Sequence, residues 1–422
     1  MKPRHLLASC VCILTAALLP GQEAPQGSLV ISGGNLTTAL DRIQGRFIEL
    51  GGGAENIRLA IIPAGSIEPA VSGRENAADF IRLGVAAGRV RVFPLAVVDD
   101  PSTPDADESR WAGNGADAAL AREMRECTAV YFVGGDQIRY TQTLKTADGG
   151  DTPLLRAIRE VYARGGVIGG SSAGAAMMCD PMICDGYSMK ALLAGADYRP
   201  AACAEARGVS LAAGLGFFTA GMVDQHFLKR GRVGRLLVAL CSGAAGLGIG
   251  VDEDTSAVCR GGTVEVIGSS GVLVVDAVEA KASGGLSWSP AGGLRARGVI
   301  VHYLEEGDRF DLAARQPLPR PERRPVAKGK EANENYPLET NLFAPDAFRN
   351  MMVDGLAENR QAGTAGIAFT LDDGGRGLGS RWTLRKTPRF AGLYASIRDI
   401  DTYSVIYASL DVEPISLHIK KK

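Results

Sequence analysis

The sequence predicts an α/β protein with a mainly parallel sheet and helices on both of its faces. Three observations predict it. Short apolar runs alternate with helix-length stretches through roughly the first 170 residues. One of those runs turns through Gly-x-Ser-x-Gly toward another helix. A chain of 422 residues with 46% hydrophobic content is long enough to bury a large core.

In order, residues 28–32, 58–63 and 90–94 read as short strands, with a helical stretch at 74–87 between the second and third. Residues 116–127 read as helix, 129–133 as strand, 153–164 as helix, and 166–170 as the strand that feeds the Gly-x-Ser-x-Gly turn. In such sheets ligands gather beyond the carboxyl ends of the strands. Gly134-Gly135-Asp136-Gln137 and the turn at Ser172 both fall at such ends, which puts them on one rim.

Lys2 and Arg4 precede an apolar run from Leu6 to Leu19, followed by Pro20-Gly21, so residues 1–24 read as a secretory signal peptide. The expected location is secreted or periplasmic. The run is short for a bilayer span, and with no clear A-x-A site an uncleaved anchor stays open. Leu7-Ala8-Ser9-Cys10 looks like a lipoprotein signal, but too few residues precede Cys10 for a hydrophobic region. The net charge of -1 gives no reason to expect nucleic acid, or a membrane beyond the leader. Outside the cytoplasm disulfides are permitted. The group Cys179, Cys184 and Cys203 is the expected source of one, with buried free thiols as the alternative and no metal-binding pattern beside them. A domain at 28–312 is followed at 313–340 by a proline-rich, charged linker and at 341–422 by a small β-rich module, whose strands read as 366–371, 381–385, 391–397 and 403–419. That module carries no catalytic pattern, and the chain has no internal repeat.

Glycines two residues either side of Ser172 remove the side chains that would clash where strand and helix cross, so a strained turn can present a hydroxyl. Ser171 fits only half of that pattern. A serine nucleophile needs a base, and the chain holds four histidines. His5 lies in the leader, His418 beside the terminal lysines, and His302 within an apolar strand, leaving His226 in Asp224-Gln225-His226-Phe227. Residues 246–254 read as a strand ending in Asp252-Glu253-Asp254, one of which could orient the imidazole; a solvated acidic turn is the alternative. Ala173 N–H, with Gly134 or Gly135, could form an oxyanion hole. Arg230, Arg232 and Arg235 follow the base closely, as forks for substrate carboxylates or as a solvated helix face.

Gly134-Gly135-Asp136-Gln137, the 169–175 elbow, Asp224-Gln225-His226-Phe227 with its arginines, Gly250-Val251-Asp252-Glu253 and Gly307-Asp308-Arg309-Phe310-Asp311-Leu312 together resemble the cyanophycinase family of serine peptidases. The resemblance covers about 28–312. It implies a flavodoxin-like sheet related to class I glutamine amidotransferases, with Ser172 as nucleophile, His226 as base and Glu253 as orienting acid. It also implies that Asp224, Gln225, Arg230, Arg232 and Arg235, with Asp136 and Gln137 on the rim, line the substrate pocket, and that no cofactor is needed. The implied substrate is cyanophycin, an aspartate backbone with arginine on each side-chain carboxylate, or another β-aspartyl peptide. The implied product is β-Asp-Arg, and a homodimer is a further expectation. Two other readings are an α-aspartyl or isoaspartyl dipeptidase, which would not need the arginine series, and a non-catalytic binding protein working through its C-terminal module.

Overall fold

The computed structural model describes residues 27–203, 207–289, 292–329, 331–371 and 376–418; the leader at 1–24 lies outside the described residues. Five parallel strands, β1 (Ser28–Ser32), β2 (Leu59–Ile62), β3 (Val90–Val92), β4 (Ala129–Phe132) and β5 (Val167–Ser171), lie in the order β1-β5-β4-β2-β3. Their residues alternate between two cores with the period of two that a pleated strand imposes. Val30, Leu59, Ile61, Ala129, Tyr131 and Val167 pack with Ile43 and Phe47 of α1 (Leu40–Leu50) and Phe80 of α2 (Pro69–Arg82). Leu29, Ala60, Ile62, Val130, Phe132 and Ile168 pack with Met124 of α3 (Ala118–Met124), Ile138 of α4 (Gln137–Leu144) and Ile158 of α5 (Pro153–Ala163). Helices therefore cover both faces, which is why β2 and β4 are apolar at every position.

After β5 come α6 (Ala173–Ala176) and a three-stranded sheet of β6 (Met182–Gly186), β7 (Ala196–Tyr198) and β8 (Val209–Ala212), with α7 (Ser188–Ala194) between β6 and β7. A Cys184–Cys203 disulfide links this excursion. Cys179 stays a buried thiol whose sulfur accepts the Val223 N–H. A second large sheet starts with β9 (Met222–Asp224), then α8 (Val233–Cys241) and β10 (Leu247–Val251), the two strands running parallel.

From there the pairing turns antiparallel. β11 (Thr255–Arg260) and β12 (Thr263–Gly268) extend the first sheet beside β1, joined by Gly261-Gly262, both at positive φ, the conformation that a two-residue hairpin turn requires. β13 (Gly271–Asp276) then returns to the second sheet, followed by α9 (Val278–Ala282), β14 (Leu286–Trp288) and β15 (Leu294–Glu305). β16 (Arg309–Asp311) and β17 (Gln316–Leu318) close the edge of the first sheet. The expected mainly parallel sheet is thus a mixed one: apolar periodicity marks strands, but the connections between them decide their direction.

The 313–340 stretch contributes β17 and β18 (Arg324–Pro325). Its Arg323 guanidinium donates two hydrogen bonds (3.1 and 3.0 Å) to the buried Asp308 carboxylate, which also accepts the Ser404 hydroxyl at 2.5 Å. Beyond it lie α10 (Ala347–Met352), β19 (Gly363–Leu371), β20 (Arg376–Ile397) and β21 (Ile400–His418). β21 pairs along β15, so the C-terminal strands continue the second sheet. β20 and β21 lose register between Lys386 and Ala391, where Pro388 has no N–H to give.

Candidate active site

The end of β5 is where the sequence demands the most strain. Ser172 sits at φ 55° and ψ -111°, a conformation L residues avoid. A Cβ on Gly170 would fall 2.4 Å from the Gly174 carbonyl oxygen, and one on Gly174 would fall 2.3 Å from that of Phe132. Only glycines allow α6 to turn back this tightly on β4 and β5. The Ser172 N–H donates to Ser32 O at 3.0 Å, which ties the elbow to the end of β1.

The other two groups arrive from the second sheet. His226 follows β9 and Glu253 follows β10, so the site lies where the carboxyl ends of parallel strands from two sheets meet. The Ser172 hydroxyl lies 2.8 Å from His226 Nε2, and His226 Nδ1 lies 2.7 Å from Glu253 Oε1. Burial pulls His226 down to about 4, although Glu253 opposes the shift, so the imidazole is neutral at pH 7 and free to accept a proton. Partial burial pushes the Glu253 carboxyl up, but hydrogen bonds from Asn35 (2.9 Å) and His226 outweigh it and leave a net downward shift.

The three acids of 252–254 each have separate work. Asp252 Oδ1 accepts the N–H groups of Leu228 and Lys229, both at 3.0 Å, and so holds the loop after the base. Glu253 meets the imidazole. Asp254 accepts N–H groups from Thr37 (2.7 Å) and Ala39 (3.0 Å) and the Thr38 hydroxyl (2.5 Å), fixing the loop that follows β1.

That loop is a part of the site the sequence reading missed. Gly33 O accepts the His226 N–H at 2.8 Å, Gly34 O accepts the Asp254 N–H at 3.0 Å, and Asn35 holds Glu253. A Cβ on Gly34 would lie 2.3 Å from His226 Cε1, so the backbone there forms one wall of the imidazole slot. The available signal was Gly33-Gly34-Asn35 at the carboxyl end of the first strand, the same glycine-pair-then-polar pattern as Gly134-Gly135-Asp136.

Gly134 and the elbow share one rim: a Cβ on Gly134 would lie 3.6 Å from Ser172 Cβ. Gly135, at φ 132°, packs so closely on the Gly65 carbonyl oxygen that a Cβ would come within 2.0 Å. A cavity of about 490 Å³ opens beside them, lined by Ser66, Ser72, Asn76 and Arg139 among others. Asp136 caps α4 by accepting the Ile138 N–H at 2.9 Å. Gln137 is buried and donates to the carbonyls of Ile183 (3.0 Å) and Cys184 (2.9 Å), so its amide N–H groups are engaged by the disulfide-bearing strand.

The arginine series divides. Arg235 and Asp224, both expected to face substrate, are 6% and 1% exposed at their side chains and grip each other through two hydrogen bonds of 2.8 and 2.5 Å. The reason is their placement: Asp224 ends β9 inside the fold, where an unpaired carboxylate would be costly, and Arg235 on α8 supplies the fork. Arg235 also donates to Gly186 O at 3.0 Å. Arg232 donates to Gln225 O at 2.6 Å, while Arg230 is half exposed with its Nε 3.8 Å from Glu253 Oε1. Gln225 Oε1 is buried with no hydrogen-bond partner among the described residues.

Residues 113–267 match the family described as Peptidase family S51, a span that contains Ser172, His226 and Glu253. The chain is 33% identical over 300 residues to the cyanophycinase of Geminocystis herdmanii, covering 69% of this chain and 96% of that protein. It is 32% identical over 304 residues to that of Trichormus variabilis, covering 70% and 89%. A crystal structure of a peptidase from an acI-B1 Actinobacterium shares 22% identity, with a TM-score of 0.40 over 59% of this chain and 90% of that one.

Proposed function

The chain belongs to peptidase family S51 and is a serine-type peptidase, and from that premise we propose that it is an exported exopeptidase that hydrolyses cyanophycin to β-Asp-Arg dipeptides. The observation that carries the catalytic part is the hydrogen-bonded run Ser172–His226–Glu253. Ser172 Oγ attacks the scissile carbonyl carbon as its proton passes to His226 Nε2, and Glu253 stabilises the imidazolium that forms. The backbone N–H groups of Ala173 and Gly135, beside Gly134, receive the developing oxyanion. Collapse breaks the C–N bond as His226 returns the proton to the leaving amine. Water, activated by the same imidazole, then hydrolyses the acyl-enzyme and frees Ser172.

The cyanophycinase relatives support the polymer as substrate. Substrate contact falls to Arg230, Arg232 and Gln225 Oε1, the last without a hydrogen-bond partner among the described residues; these suit a carboxylate and a peptide N–H. The Asp224–Arg235 pair serves as the floor beneath them. Export rests on the leader reading at 1–24. We also read the parallel half as flavodoxin-like: with β1 set aside, β3-β2-β4-β5 follows the first four places of the 2-1-3-4-5 order. The test compares kcat/KM on cyanophycin with that on Asp-X and isoaspartyl dipeptides. A clear preference for the polymer supports the proposal, and a preference for simple dipeptides removes it.

A further inference from the structure

The loop 226–232 carries the base and two arginines, and it is held from three sides. Asp252 holds it from the second sheet, as described. From the small sheet's side, the buried Ser188 hydroxyl donates to Gly231 O at 2.5 Å and accepts the N–H groups of Gly234 and Arg235 at 3.1 and 3.2 Å. The third side is the C-terminal segment. The Asp346 N–H donates to Leu228 O at 3.3 Å, and its carboxylate pairs with the Lys229 ammonium. Gly231, at φ 55°, lies so close to the Phe343 carbonyl oxygen that a Cβ would come within 2.1 Å of it.

Phe343 is anchored in turn. Its ring stands edge-on to the buried Trp382 of β20, with centroids 5.8 Å apart, and the same ring closes on Gly234, where a Cβ would meet Phe343 Cζ at 3.2 Å. The ion pair alone would contribute little, because the Lys229 and Asp346 side chains are 41% and 29% exposed. The backbone contact and the steric fit are different in kind. They set where Leu228 and Gly231 can lie, two and five residues after His226.

We propose that Phe343 and Asp346 are positioning residues for His226: the C-terminal segment clamps the base-bearing loop and is part of the catalytic unit. This rests on the serine-peptidase reading above but not on the identity of the substrate. A structural contact would affect melting only. A positioning contact changes how well His226 is buried and aligned.

The test uses the full chain with Phe343→Ala and with Asp346→Asn, asparagine being chosen because it tolerates the left-handed conformation at φ 60°. One readout is the rate at which a fluorophosphonate labels Ser172. The other is the titration of the His226 imidazole by NMR, faced by Glu253, Arg230 and Arg232. Labelling should slow about tenfold in Phe343→Ala and about threefold in Asp346→Asn. The His226 midpoint should rise by about one unit or more as water reaches the ring. Loss of the Asp346 charge alone would push it the other way, so a rise reports an opened loop. Wild-type labelling and an unmoved titration in both variants, whatever their melting temperatures, would overturn the clamp. Neither readout uses cyanophycin, so failure on the polymer would strike the substrate proposal and leave this one standing.

Discussion

Gly34→Ala would put a methyl group directly into the imidazole slot. A Cβ at Gly34 would stand 2.4 Å from His226 Nε2, the atom that takes the proton of Ser172, whereas ordinary contact begins near 3.4 Å. The imidazole must therefore move by about 1 Å, or the Gly33–Asn35 backbone must. Neither motion is free. Gly33 O holds the His226 N–H, a Cβ on Gly33 would already strike Asp252 O at 1.9 Å, and Gly34 itself sits at φ 107°. Displacing a reacting group by about 1 Å costs on the order of 100-fold in rate, and alanine in this backbone conformation costs about 1–2 kcal/mol of stability. The assay is steady-state hydrolysis beside thermal melting. A folded Gly34→Ala enzyme with kcat within a factor of about three of the native value would refute the imidazole-slot argument.

Other expectations follow from the same geometry. Glu253→Gln should lower kcat by several orders of magnitude at most, because the amide fails to stabilise imidazolium, while Asp252→Asn should chiefly destabilise the 226–232 loop; the reverse ranking in kinetics and melting would reassign the acid. Arg235→Lys should cost about 1–3 kcal/mol in melting measurements through loss of its fork on Asp224, whereas Arg230→Lys should raise KM with little change in stability; unchanged KM in Arg230→Lys would place that residue outside the pocket. Because His226 works unprotonated and burial holds it near 4, kcat/KM should stay level as pH falls through the ordinary histidine range and drop only near pH 4; an acid limb near 6.5 would mean a solvated base.

The elbow, the base and the acidic end of β10 were legible because each is a local pattern at the end of a strand, and β2 and β4 were legible because apolar runs buried on both faces leave no polar interruption. Glu253 could not be separated from Asp252 and Asp254 by spacing alone, since the difference lies in which partner each meets across the seam between the two sheets. The pairing of Asp224 with Arg235 was equally hidden: two residues that each suit a zwitterionic substrate also suit each other, and only burial tells the cases apart. Proline and charge make 313–340 read as a linker, yet Arg323 is buried against Asp308, a contact no local window contains. β20 reads from sequence as two short pieces, 381–385 and 391–397, because Pro388 interrupts a 22-residue strand that the structure carries past a register break.

The measurement that bears most directly on the serine mechanism and its substrate is mass spectrometry of the soluble products after the purified protein meets purified cyanophycin, run beside folded Ser172→Ala. A triad-dependent cyanophycinase releases β-Asp-Arg dipeptides from the native protein and none above background from the variant. No dipeptide from the folded native protein would remove the substrate, and equal release by both would remove Ser172 as nucleophile.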